Sequence, residues 1–448
     1  MQKRHTKRIV ITGMGVVSPL GNDVATFWAA IKAGKSGAGP VTRFDASRLE
    51  ARIACEVKGF DPSPYMEGKE ARKMALFSQY AVAAAVQAWA DAGLPDLSRA
   101  SGDEAGGPGE GASGRDAAEA ACPLSFYRSD RVATVLGNGI GGIEVCSESH
   151  RKLFESGPGR MLPMTVPLMI ANEAAGNVAM RLGVHGPALT AVTACASGTD
   201  ALGQALDLLR AGRCDAALAG GTEAAIGEFA MGAFCRLKAL STSHNDDPER
   251  ASRPFDKDRD GFVLGEGAAV LVLETEEGAR ARGARVYAEL AGYGSSCDAY
   301  HLTAPDPSGE GGAAAIRAAL EDSGLSADEI DYYNAHGTST RINDPVETLM
   351  VKKAFGAHAG RLRISSTKSM TGHCIAAGGA MEALICAKAV EEGFVPPTIN
   401  LEAPDLADGC DLDYTPNRGV HAPLRAAASA SLGFGGHNAV VVVRRAEP

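Results

Sequence analysis

Four short segments hold residues that could do chemistry. In VTACASGTD (Val192–Asp200), Cys195 follows a short strand-like run and precedes small residues that open a helical pattern. A thiol at a helix N-terminus meets the partial positive charge of unpaired N–H groups, which favours thiolate and lowers a pKa of about 8.5 in free cysteine. In YNAHGTSTRINDPVE (Tyr333–Glu347), His336 ends a strand-like run and is followed by Gly337 and the hydroxyls of Thr338 and Thr340. A histidine at a strand end can face a cleft. ISSTKSMTGHCIAAGGAME (Ile364–Glu382) repeats that layout with Lys368, His373 and then small residues through which a helix could pack closely. SASLGFGGHN (Ser429–Asn438) sets glycines around Phe434 in a loop before the last strand, and glycine permits positive φ and close backbone approach to a ligand. Taken singly, each segment also has a structural explanation: a buried cysteine in a tight turn, a histidine bonded to backbone, close packing beside a solvent-facing lysine, a turn around one buried aromatic.

Other chemistries find less support. VLGNGIGG (Val135–Gly142) fails the G-x-G-x-x-G spacing of a dinucleotide loop. Ten cysteines include no Cys-x-x-Cys pair, so the spacing suggests neither a disulfide framework nor a zinc site, and a reducing cytoplasm fits best. No metal is expected. A net charge of −10 gives no general attraction to nucleic acid, although a local basic patch could receive an acidic protein. The basic start MQKRHTKR leads into IVITGMGVV, which reads as a first strand rather than a signal peptide, and no run approaches the roughly 18 apolar residues of a membrane span.

The elements that must position these residues alternate in type. Strand-like runs at Ile9–Ile11, Val132–Leu136, Ala216–Ala219, Val270–Leu273, Val286–Leu290, Ile330–Tyr333 and Val440–Val443 are separated by Ala- and Leu-rich helical runs, the pattern of an α/β protein. After Cys195, Leu202, Leu206 and Leu209 recur at helical spacing, and Gly212 falls where a C-terminal cap would sit. With 448 residues, two or three lobes are expected. The charged, glycine-punctuated stretch Glu274–Arg285 is the expected boundary between halves, and the Gly- and acid-rich stretch Ser98–Ala121 is an expected mobile insertion. Direct comparison finds no internal repeat.

Together the four segments resemble the elongating β-ketoacyl-acyl carrier protein synthases of the type II kind, whose signatures TACASG, NAHGTST, KSMTGH and GFGG occur here in that order. The resemblance extends from RIVITGMGVVSPLG through ERASRPFDKDRDGFVLGEG to the final strand, leaving only the 98–121 insertion unmatched. It implies a thiolase-like α/β fold, with two similar βαβαβαββ halves forming a five-layered αβαβα core, usually as a homodimer. Residues 1–278 would form the half carrying the nucleophile, and 279–448 the half carrying both histidines.

By the same resemblance, Cys195 takes an acyl group from acyl carrier protein, with the backbone N–H groups of Cys195 and Phe434 as oxyanion hole. His336 and His373 would stabilise the enolate left when malonyl-carrier protein loses carbon dioxide, and that carbanion would attack the acyl-Cys195 thioester. Lys368 would support the histidines and Glu382 would lie beneath it. Thr338 and Thr340 would hold the phosphopantetheine arm, and Ile140, Phe234 and Phe434 would line or gate the acyl tunnel. Lys69, Arg72 and Lys73 match a docking surface for the carrier protein, alongside the reading of an ordinary charged helix face. No metal, redox cofactor, nucleic acid or membrane enters this scheme. Leu432 in place of a usual phenylalanine, Ala171 in place of a proline, and CIAAGG after His373 in place of LLGAAG put the acyl-chain preference in doubt. The rival reading is the ketosynthase subunit of an aromatic polyketide or other specialised pathway. A thiolase, which needs a second cysteine, a Cys-His-Asn starter synthase, and a chain-length factor lacking the nucleophile all fit less well.

Overall fold

The computed structural model describes residues 7–95 and 126–446, so the insertion expected at Ser98–Ala121 lies outside the described residues. Ten strands form one sheet. In chain order they are β1 (Ile9–Val17), β2 (Val132–Gly137), β3 (Ala188–Ala191), β4 (Ala216–Glu223), β5 (Gly267–Thr275), β6 (Ala288–Cys297), β7 (Tyr332–Asn334), β8 (Arg363–Ser365), β9 (Ala426–Gly433) and β10 (His437–Arg445). Every residue of β1, β2 and β4 is buried, which explains why these strands read as continuous apolar or small runs rather than alternating ones.

The strand order is β8-β7-β9-β10-β6-β1-β5-β4-β2-β3, which divides into two runs of the same design. In the first, β2 is parallel to β3 and β4, and β5 is antiparallel to β4 and β1. In the second, β7 is parallel to β8 and β9, and β10 is antiparallel to β9 and β6. Two residue pairs, Val10 with Glu289 and Ile11 with Ala288, join β1 to β6 and fuse the runs. The duplication that direct sequence comparison misses is therefore plain in the topology.

Helices fill the layers around and between the runs: α1 (Leu76–Asp91), α2 (Glu173–Leu182), α3 (Ser197–Arg210), α4 (Glu310–Ser323), α5 (Asn343–Phe355) and α6 (Ala376–Glu392). α1 covers β1 and β5 on one outer face with α2 beside it, and α4 covers β6 and β10 on the other with α5 beside it. α3 and α6 lie in the middle, where α6 touches β4, β5, β9 and β10. That is the five-layered thiolase-like arrangement. The composition of α6 suits its place, because 14 of its 17 residues are buried and its small side chains let two sheets close on it. Contact between the central helices needs glycine: a Cβ on Gly198 would stand 2.2 Å from Ala376 O, and one on Gly379 2.1 Å from Thr199 Oγ1. The helix expected after Cys195 is α3, with Leu202, Leu206 and Leu209 buried and the Gly212 N–H, at φ +68°, donating to Leu209 O.

β9 corrects the reading of the C-terminal segment as a loop. Ser429–Gly433 belong to a strand paired residue for residue with β10, and only Phe434–Gly436 turn between them. Its sequence, AAASASLG, has none of the branched or aromatic residues that mark strands, and its burial between β7 and β10 overrides that weak propensity.

Candidate active site

The chemistry-bearing residues sit where parallel strands end. Cys195 follows β3, His336 follows β7, His373 follows β8 and Phe434 follows β9. Ligand sites in such sheets gather at the carboxyl ends of strands, because there the chain leaves the core and its side chains become free to face a crevice. Here the crevice is a cavity of about 590 Å³ whose wall includes Cys195, His336, His373, Thr338, Thr340, Ile140, Phe234 and Phe434. The structure thus brings together eight of the residues singled out in the sequence, drawn from both runs of the sheet.

Cys195 lies in a 3₁₀ turn just before α3, behind Ala194 at φ +51°. Ser197 fixes that turn: its Oγ donates to Ala194 O at 2.6 Å and accepts the Thr193 N–H at 2.9 Å. The Thr193 hydroxyl donates to Asp200, which also accepts from Tyr293 OH at 2.6 Å. His373 Nε2 stands 3.0 Å from Cys195 Sγ. The backbone N–H groups of Phe434 and Cys195 lie near enough to the sulfur to pull its pKa down. Gly433 makes this possible, since a Cβ there would lie 2.5 Å from Thr193 O and 3.3 Å from the Cys195 N.

The His336 ring meets that of His373 edge to face, with centroids 5.2 Å apart and an interplanar angle of 88°. Both histidines are 3% exposed, and burial followed by the nearby Lys368 ammonium holds them well below the usual imidazole range, so both rings are neutral near pH 7. Nδ1 of each ring is buried without a hydrogen-bond partner. A proton there would be an unsatisfied buried donor, so the proton is better placed on Nε2, in the cavity. Two neutral N–H donors beside a nucleophile can stabilise an oxyanion without carrying a charge themselves.

Lys368 is 2% exposed and ion-paired with Glu382, itself 2% exposed, so it is a buried cation behind the histidines rather than a solvent-facing lysine. Burial pushes the Glu382 carboxyl up to about 7 against the pull of Lys368. Burial pushes the Cys195 thiol up to about 12, against the pull of Lys368 and of the Phe434 and Cys195 N–H groups.

Two carboxylates escaped the sequence reading. Glu347 accepts the N–H groups of His336 and Gly337, each at 2.7 Å, and fixes the loop after β7. Glu223, at the end of β4, accepts the Gly139 N–H at 2.9 Å. Burial pushes each of them up to about 7. An acidic residue closing an otherwise apolar, small-residue strand, AALAGGTE, was the available signal for Glu223. Lys238 and Arg341 are exposed on the cavity wall and were also passed over. Lys69, Arg72 and Lys73 are exposed on and just after the short helix Gly68–Ala71 and do not line the cavity.

A cysteine beside two neutral histidines, at the meeting of two halves of like topology, is the arrangement of a condensing enzyme of thiolase-like fold. Models of the Beta-ketoacyl synthase N-terminal and C-terminal domains match residues 6–279 and 287–402. The chain belongs to the β-ketoacyl synthase family. It is 44% identical over 445 residues to the 3-oxoacyl-[acyl-carrier-protein] synthase 2 of Synechocystis sp., covering 99% of this chain and 100% of that protein. Among solved structures, the ishigamide ketosynthase/chain length factor superposes with a TM-score of 0.87 at 37% identity, covering 99% of this chain and 100% of that one. A type II polyketide synthase acyl-carrier protein in complex with its ketosynthase bound to the hexaketide gives 0.86 at 33% identity, with the same shares covered.

Proposed function

We propose that this enzyme elongates fatty acyl chains by decarboxylative Claisen condensation, with both substrates presented on acyl carrier protein. The observation that carries the reading is the 3.0 Å contact between His373 Nε2 and Cys195 Sγ in a cavity that His336 also lines. Cys195 Sγ attacks the acyl thioester: a new C–S bond forms, the bond to the pantetheine sulfur breaks, and the thiol proton leaves with the departing thiolate. The N–H groups of Cys195 and Phe434 receive the charge on the tetrahedral oxygen. Malonyl-carrier protein then loses carbon dioxide, and the electron pair of the broken C–C bond becomes an enolate whose oxygen accepts from the Nε2–H groups of His336 and His373. The enolate carbon attacks the acyl-Cys195 carbonyl, the C–Sγ bond breaks, and the sulfur departs as thiolate, which takes up a proton from solvent to restore the thiol. Lys368, paired with Glu382, keeps the histidines neutral, and Thr338 and Thr340, with hydroxyls 3.0 Å apart on the cavity wall, hold the pantetheine arm.

Lys69, Arg72 and Lys73 are proposed to dock the acidic carrier protein. A homodimer is proposed from the outer edge of the sheet, where β3 has no further strand among the described residues and leaves Leu189 and Val192 exposed. An apolar free edge invites another strand. Sedimentation at a monomer mass would overturn that assignment. Fatty acyl elongation is favoured over a polyketide role by 44% identity to a fatty acid enzyme against 37% and 33% to the polyketide-type structures. The test is intact-protein mass spectrometry with medium-chain acyl-carrier protein followed by malonyl-carrier protein. An adduct discharged to a chain two carbons longer supports the reading; an adduct that needs a partner subunit for discharge supports the polyketide alternative.

A further inference from the structure

The condensation steps leave Glu223 unused. It ends β4, is fully buried, and both of its oxygens are engaged. Oε2 accepts the Gly139 N–H at 2.9 Å, Oε1 receives the Ile140 N–H and Asn138 Nδ2 at 3.4 Å each, and the Ala376 N–H at the head of α6 lies near enough to pull the carboxyl's pKa down. These donors belong to two chain segments that both contribute to the cavity wall. Ile140 leads away from one, and Ile375 immediately precedes the other. Ile375 has φ +46°, a region that a β-branched residue enters only when its surroundings impose it. Gly139 lies where the segments meet: a Cβ there would stand 2.7 Å from Glu223 Oε2, 2.9 Å from Ile375 Cγ2 and 3.6 Å from Ala194 O. One carboxylate therefore ties together the loop bearing Ile140, the strained residue bearing Ile375 and, through Gly139, the turn that presents the nucleophile.

We propose that Glu223 is a positioning residue that sets the bore of the acyl pocket between Ile140 and Ile375, and with it the acyl chain length accepted on Cys195. The proposal rests on the condensing activity proposed above. It is tested by measuring kcat/KM for short, medium and long acyl-carrier protein donors with wild type, Glu223→Gln, Glu223→Asp, Ile140→Ala and the Glu223→Gln/Ile140→Ala double variant. Glutamine turns an NH₂ toward N–H donors, so one tied segment loses its acceptor. The long-to-short ratio of kcat/KM is expected to shift by about tenfold or more, in the range that one methylene commands in an apolar pocket. The effects of Glu223→Gln and Ile140→Ala on that ratio are expected not to add. A uniform loss at every chain length, an unchanged ratio, or simple additivity would overturn the proposal. Should Glu223→Gln fail to fold, Glu223→Asp decides in its place: it keeps the charge but draws the carboxylate back by one methylene, and an unchanged ratio overturns the proposal. Failure of wild type to form an acyl adduct is a separate outcome that would sink the underlying activity.

Discussion

The first five strands and the last five share one order and one set of directions, yet they carry different chemistry. After the third strand of each run the chain leads into a central helix: in the first run through the turn that holds Cys195 before α3, and in the second through the short helix Lys368–Thr371 and then His373 before α6. The residue ahead of each has positive φ, Ala194 at +51° and Gly372 at +67°. After the second strand, the first run presents the apolar wall at Ile140 and the second presents His336. After the fourth, Glu223 faces one way of tying the site together and Phe434 N–H another. The fold supplies equivalent positions, and residue identity sets a thiol on one side against two imidazoles on the other. Neither half holds a complete site.

The strongest way to break this division is to remove the nucleophile. Cys195→Ala is expected to abolish the acyl adduct and lower kcat/KM by about 10⁴-fold or more, as loss of a covalent nucleophile does. An adduct in that variant would show that another side chain carries the acyl group. The two histidines should then separate. His336→Ala, which leaves the His373–Cys195 contact in place, is expected to leave adduct formation near wild type and slow malonyl-dependent discharge by roughly 10²- to 10³-fold, the cost of an oxyanion donor. His373→Ala should slow both steps, because Nε2 touches Cys195 Sγ. Single-turnover mass spectrometry resolves the two, and equal losses of both steps in both variants would erase the distinction between the histidines.

A smaller effect concerns the thiol itself. Burial pushes Cys195 up to about 12, so the thiolate fraction in the substrate-free enzyme is small at pH 7 and rises about tenfold per pH unit below that value. Alkylation of Cys195 by iodoacetamide, followed by peptide mass spectrometry, is therefore expected to accelerate steadily from pH 7 to about 10. A plateau below about pH 9 would mean that the helix end and the N–H donors outweigh burial after all.

How much of this was legible in the sequence depends on what each feature is made of. The four signature segments are local, and each fixes a strand end, a turn and a reactive side chain within a few residues, so the expected cavity residues meet in the structure. The central strands built of valine, isoleucine and leucine were legible for the same reason. The duplication was not, because it lives in strand order and hydrogen-bond direction, which very different side chains satisfy equally well: AALAGGTE in β4 and AAASASLG in β9 occupy matching places. At Cys195 the helix end is visible in sequence, while the burial that pulls against it is not. Glu223 and Glu347 were missed because a carboxylate that holds backbone N–H groups has no motif of its own.

The finest test of the match between halves is the pair of turns itself. Ala194 holds a positive φ that costs an L-residue roughly 1–2 kcal/mol, and glycine would relieve it while losing about 0.5–1 kcal/mol through greater freedom of the unfolded chain. Ala194→Gly is thus expected to change stability by no more than about 1 kcal/mol. Gly372 stands at φ +67°, ψ −175°, a region essentially reserved for glycine. A Cβ there would also lie 2.7 Å from Cys55 Sγ and 2.9 Å from Val263 O, and the backbone oxygen is held in place because Val263 O accepts the His373 N–H at 2.7 Å. Gly372→Ala is expected to cost roughly 2–4 kcal/mol in urea unfolding, the sum of backbone strain and overpacking. A Gly372→Ala protein as stable as wild type would mean that the turn ahead of His373 does not need this backbone. The likeness between the nucleophile turn and its counterpart would then be one of position alone.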